Sequence, residues 1–110
     1  MDISVRDLEG IKAIDISGIL DTNTSPAAET FIQNLLDQEN NRLIINLKNT
    51  DYLSSSGLRV LLATAKKLWA IGGKLKIACP NKVVTEILDT SGFSMILDIR
   101  ETEGQALSEM

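Results

Sequence analysis

The 110-residue sequence has no histidine, one cysteine, one tryptophan, one tyrosine and two phenylalanines. Without an imidazole there is no Ser-His-Asp triad, no Cys-His pair, no histidine-ligated zinc and no imidazole base for neutral pH. The lone thiol, Cys79, has no partner for a disulfide within the chain. It follows an apolar run and reads as a buried residue at a strand end rather than as a nucleophile or ligand. A reduced thiol fits the cytoplasm. The start, Met1 to Arg6, lacks the basic and apolar regions of a secretory signal, and no apolar run approaches the ~18–20 residues of a membrane span. The sequon Asn23-Thr24-Ser25 is therefore read as accidental. Fifteen Asp and Glu against 11 Lys and Arg give a formal charge of −4. No basic stripe is present to hold nucleic acid or an anionic bilayer. Gly-X-Ser-X-Gly and the Walker phosphate loop are both missing, so neither an acyl-transfer serine nor a nucleotide cradle of that kind is expected.

What is present suits one α/β domain. The length matches a single domain, and such a chain can bury roughly two-thirds of its unfolded surface without disulfide or metal. Ile3 and Val5, then Ile11, Ala13, Ile14 and Ile16, flank Leu8-Glu9-Gly10 and predict a hairpin. The segment Gly18 to Ser25 reads as a loop. Thr24-Ser25-Pro26 then offers an N-cap hydroxyl followed by proline at the first position of a helix with Ala28, Phe31, Ile32, Leu35 and Leu36 on one face, ending near Asn40-Asn41.

Leu43 to Leu47 predicts a central strand covered on both faces. Asn49 to Gly57 reads as a second loop, followed by a helix with a stripe of Leu58, Leu61, Leu62, Ala65, Leu68 and Trp69. Its polar face carries Arg59, Thr64, Lys66 and Lys67, and it stops at Gly72-Gly73. Leu75, Ile77 and Cys79 alternate with Lys76 and Ala78 as a fourth strand. A short helix follows with Val83, Val84, Ile87 and Leu88 apolar and Gly92 as its C-terminal cap. Met95 to Ile99 reads as a fifth strand, and Thr102-Glu103-Gly104-Gln105 opens a last helical turn. The expected order is ββαβαβαβα, a mixed, mostly parallel sheet with helices packed against it. Functional loops in such sheets gather where strands end and helices begin, which selects Gly18–Ser25 and Asn49–Gly57.

Ser54, Ser55 and Ser56 occupy such a position, with free backbone N–H groups and a positive helix end. One serine there serves as a cap; three in a row before Gly57 exceed what capping requires. Asp51-Tyr52-Leu53-Ser54-Ser55-Ser56-Gly57-Leu58 resembles the phosphorylation-site signature of bacterial anti-sigma-factor antagonists, the small single-domain members of the STAS family. Gly18-Ile19-Leu20-Asp21, Ile71-Gly72-Gly73-Lys74-Leu75 and Leu88-Asp89-Thr90-Ser91-Gly92-Phe93 resemble further blocks of that family in the same order, and together they cover nearly the whole chain. The family's Asp before the acceptor is Ser54 here, and the Gly that commonly follows Leu58 is Arg59.

The resemblance implies a STAS domain over residues 1–110 with Ser55 as phosphoacceptor and Ser54 and Ser56 as its rivals. It further implies a partner-binding face with Asp21, Thr22, Thr24, Ser54, Ser56, Gly57, Leu58 and Arg59. Asp21 would orient the acceptor hydroxyl or meet a partner's cations, unless it is a turn aspartate bonded to nearby backbone. Arg59 would be a plain solvated residue or a phosphate partner. By the same resemblance the protein is no enzyme and needs no cofactor, and its partners are an anti-sigma factor that is also a serine kinase and a serine phosphatase. A monomer is expected. The other reading that the resemblance leaves is a ligand-sensing or scaffold module; a flavodoxin-like enzyme lacks acid-base residues.

Overall fold

The glycine between the first two apolar runs makes a tight turn. Glu9 (φ 52) and Gly10 (φ 84) join β1 (Asp2–Leu8) to β2 (Ile11–Leu20) in an antiparallel hairpin closed by the Leu8–Ile11 pair. The computed structural model describes residues 1–110. Beyond the hairpin all pairings are parallel. Lys12 to Asp15 of β2 pair with β3 (Arg42–Asn46), which pairs with β5 (Lys74–Ala78), which pairs with β6 (Ile99–Arg100). The strand order is β1-β2-β3-β5-β6.

The upper end of β2 carries a second partner. After a break in register at Gly18, the strand runs on to Leu20 beside β4 (Thr50–Leu53), with Leu20 opposite Leu53. Both segments differ from the sequence expectation, which placed loops at Gly18–Ser25 and Asn49–Gly57. The four residues of β4 bury Thr50 and Leu53 and expose Asp51 and Tyr52, so they carry no period-2 signal. Thr50 is fully buried, and its hydroxyl donates to the Ile16 carbonyl at 2.6 Å.

Helices α1 (Ser25–Asp37), α2 (Ser55–Ala70) and α3 (Lys82–Thr90) pack on one face of the sheet. Ala28, Ile32, Leu61, Leu68, Val84 and Leu88 share one core with Ile14, Ile16, Leu43, Ile45 and Ile77. The alternate residues Ile11, Ala13, Ile44 and Ala78 face the other way, against Ala106 of the short α4 (Glu103–Ser108). Side-chain ion pairs of Arg6 with Glu103 and of Arg100 with Glu109 tie α4 to the sheet. No helix is long and apolar enough to cross a membrane.

Other departures have local causes. α1 ends at Asp37, short of Asn40, whose side chain donates back to the Leu35 carbonyl at 2.9 Å. Thr64 is buried rather than on the polar face, because its hydroxyl donates to the Val60 carbonyl one turn earlier. Trp69, placed on the apolar stripe, is about half exposed. The expected fifth strand from Met95 to Ile99 is a 3₁₀ turn over Phe93–Met95, and only Ile99–Arg100 pair. Cys79 follows β5 with φ 54 and is half-buried.

Lys76 faces the sheet side yet is 7% exposed, and its ammonium donates to Asp98 at 2.6 Å. The Lys76 hydrogen bond holds the Asp98 carboxyl below the ordinary carboxylate range. A depressed folded pKa contributes stability above the ordinary value near 4, and that stability is lost as pH falls through the lowered value. Thermal unfolding followed from pH 6 to pH 2 should therefore show a shallower acid loss in Asp98→Asn than in the parent; parallel curves would remove Asp98 from the acid response.

Candidate functional site

The pairing of β2 with β4 builds the site. Leu20 accepts a hydrogen bond from the Ser54 backbone N–H at 3.0 Å, bringing the turn after β2 against the start of α2. A Cβ on Gly57 would stand 2.6 Å from the Leu20 carbonyl oxygen, so only glycine permits this approach. Asn81 fixes the third side. Its carbonyl oxygen caps α3 by accepting from Val84 N–H at 3.0 Å, while its amide donates to the Thr50 carbonyl at 2.7 Å and the Lys48 carbonyl at 3.2 Å. One side chain thus sets the position of α3 beside β4.

The three serines have different tasks. Ser54 is the cap of α2, with extended backbone and Oγ accepting from Gly57 N–H at 3.4 Å. Ser56 is half-buried; its Oγ lies 3.0 Å from Thr22 Oγ1 and accepts from Arg59 Nη2 at 3.3 Å. Ser55 is the first residue of α2 and is exposed, with no hydrogen bond on its hydroxyl. Of the run, Ser55 alone offers a free hydroxyl at the positive end of a 16-residue helix.

The loop residues divide similarly. Asp21 Oδ1 accepts from the backbone N–H groups of Asn23 at 2.9 Å and Thr24 at 3.2 Å and touches none of the three serines, so it is a turn aspartate in this state. The cap hydroxyl expected from Thr24-Ser25-Pro26 is not used: α1 starts at Ser25 with no side-chain cap, and the Thr24 hydroxyl accepts from Asp21 N–H and donates to the Ile19 carbonyl, both at 2.9 Å. That hydroxyl is consumed in holding the turn. Thr22 reaches across to Ser56. Leu58 is buried and Arg59 exposed.

Sequence reasoning missed an apolar groove beside Ser55. A cavity of about 650 Å3 opens between the start of α2 and α3, lined by Tyr52, Ser55, Leu58, Val83, Glu86 and Ile87 among others. Tyr52 and Val83 are each about half exposed, and Ile19, paired with Tyr52 across the β2–β4 ladder, is also half exposed. The neighbouring Val83 and Val84 carried the available signal: they lie about 100° apart around α3, and Val84 faces the core while Val83 is half exposed. No group of three or more His, Cys, Asp or Glu side chains is arranged to hold a metal ion.

Comparison with known proteins gives a match to the STAS domain model over residues 2–106. The anti-sigma F factor antagonist of Paenibacillus polymyxa is 29% identical over 111 residues, covering 100% of this chain and 95% of that protein. The crystal structure of an anti-sigma factor antagonist from Mycobacterium paratuberculosis has a TM-score of 0.89 at 26% identity, covering 98% of this chain and 92% of that one. The Bacillus cell fate determinant SpoIIAA in its phosphorylated form shares the fold, with a TM-score of 0.73 at 19% identity over 98% of each chain.

Proposed function

Because the chain belongs to the STAS domain family, we propose that it acts as an anti-sigma-factor antagonist by partner switching, with Ser55 as the switch. The unphosphorylated form binds an anti-sigma factor that is also a serine kinase, and the sigma factor is released. Transfer of the terminal phosphoryl group of ATP to Ser55 Oγ, which breaks the β–γ anhydride bond, releases ADP and frees the hydroxyl proton, ends the complex. A serine phosphatase restores it. The observation that carries this reading is the division of labour in the serine run, where Ser54 caps the helix, Ser56 is tied to Thr22 and Arg59, and Ser55 remains free. The names of the relatives from Paenibacillus polymyxa and Mycobacterium paratuberculosis support the partner class, and the phosphorylated SpoIIAA supports the modification.

The groove supplies the adhesive part of the interface. Tyr52, Ile19 and Val83 present half-exposed apolar surface next to Ser55, the composition expected of an interface core. Glu86 at its edge and Asp51 on β4 make a basic partner surface complementary. A phosphate of about −1.5 to −2 charge added there puts a bulky, strongly hydrated dianion against the apolar groove, and the cost of desolvating it in the contact outweighs its attraction to a basic partner surface. The helix start tolerates the new charge, so the domain stays folded while the interface fails.

Adding the unmodified chain to a preformed complex of the cognate sigma and anti-sigma factors should displace the sigma factor on a sizing column. Binding to the anti-sigma factor without displacement would favour the scaffold reading instead. Tyr52→Ser should weaken binding to the anti-sigma factor by roughly tenfold or more, the loss typical of a truncated aromatic anchor. Isothermal titration at constant salt measures it, and an unchanged Kd would remove the groove from the interface.

A further inference from the structure

A second hollow, polar rather than apolar, lies on the other side of the α2 start. Its volume is about 220 Å3 and its walls are Thr22, Ser25, Pro26, Glu29, Ser56 and Arg59. The first turns of α1 and α2, helices of 13 and 16 residues, meet there, so two positive helix ends converge. Ser25 is 6% exposed, and its Oγ is the one buried side-chain polar atom of the protein without a hydrogen-bond partner. Such atoms are rare in folded proteins, and the residue that carries this one lines an open polar hollow.

Arg59 adds the charge. Its guanidinium donates to Ser56 Oγ at 3.3 Å and forms none of the protein's ion pairs. A cation one turn into a helix opposes the helix dipole, and an anion beside it relieves both. Backbone donors contribute little on the α1 side, because Pro26 has no N–H and Asp21 already serves Asn23 and Thr24. Side chains must carry the recognition.

We infer that this hollow binds a tetrahedral oxyanion, either free phosphate or the phosphoryl group of a monoester, between the Arg59 guanidinium and the hydroxyls of Ser25, Ser56 and Thr22. Glu29 is the opposing group on the wall, and it holds affinity for a free anion to the order of millimolar. The inference does not rest on modification of Ser55, which borders the other cavity.

The test is a titration of the 15N-labelled full chain with inorganic phosphate, against sodium chloride at equal ionic strength. Saturable shifts at the Ser25 and Ser56 amides and at Arg59 Nε are expected from phosphate alone. Arg59→Gln should weaken binding by about tenfold, as loss of a charge-assisted hydrogen bond does. Glu29→Gln should tighten it by a few fold. Ser25→Ala should weaken binding without lowering the unfolding temperature, because it deletes a hydroxyl that has no partner in the free protein. A parallel titration with O-phosphoserine separates the sources: tighter binding than phosphate assigns the site to a monoester, and weaker binding assigns it to the free ion. Shifts that do not saturate, that chloride reproduces, or that survive Arg59→Gln unchanged would overturn the inference and leave Ser25 Oγ to water.

Discussion

Ser55→Asp should weaken binding to the cognate anti-sigma factor by roughly a hundredfold, while Ser55→Ala should stay within a few fold of the parent. The difference comes from where each change acts. Ser55 is exposed and makes no hydrogen bond, so alanine removes nothing the free domain uses. Aspartate puts a carboxylate beside Tyr52, Leu58 and Val83, where a partner must exclude water. Burying an uncompensated charge in an interface core costs a few kcal/mol, and about 2.7 kcal/mol is a hundredfold in affinity. Stability should move the other way. An acidic residue in the first turn of α2 is favoured by the dipole, by about 0.3–1 kcal/mol, so Ser55→Asp should melt no lower than the parent. Loss of affinity together with an unfolded or destabilised domain would reduce the effect to misfolding, and equal affinity of both variants would exclude a charge switch at this position.

The second large effect is at Gly57, and its sign separates two arguments. Helix propensity alone says that Gly57→Ala gains up to ~1 kcal/mol. The structure says otherwise, since a Cβ would lie 2.6 Å from the Leu20 carbonyl oxygen and 3.1 Å from its Cγ. The carbonyl belongs to the β2–β4 ladder and cannot yield without moving Ser54, which donates to it. Net destabilisation of about 1–3 kcal/mol is expected for alanine and more for valine, read as a lower denaturant midpoint. Gly104→Ala in α4 is the control. A Cβ there meets nothing closer than Thr102 Oγ1 at 3.9 Å, so alanine should be neutral or stabilising. A stabilised Gly57→Ala would mean that α2 is not held against Leu20 as described.

Much of this was legible in the sequence where a regular period or a specific cap carried it. The spacing of Ala28, Ile32 and Leu35 marked α1, the apolar run at Leu43 to Leu47 marked the central strand, and Gly92 (φ 81) ends α3 as its position suggested. β4 was not legible, because its four residues are defined by partners in β2 rather than by their own pattern. The same holds for Met95 to Ile99, where apolar residues suggested a strand but Met95 and Ile96 are exposed and only Ile99 finds a ladder. At the site, the run of serines was visible but not their separate tasks. Hydrogen bonds from Thr22 and Arg59, set by tertiary contact, distinguish Ser56 from Ser55. The apolar groove needed the crossing of β4 with α3, which depends on Asn81 reaching the Thr50 carbonyl 31 positions away in sequence.

The most direct test is a single reaction read in two ways. The full chain is incubated with its cognate kinase and magnesium ATP, the phosphate is located by mass spectrometry, and the same sample is passed over a sizing column with the kinase. One phosphate on Ser55, accompanied by loss of the complex and by recovery after serine phosphatase treatment, is the predicted result. Phosphate on Ser54 or Ser56, or a complex that persists with Ser55 fully modified, would contradict the account.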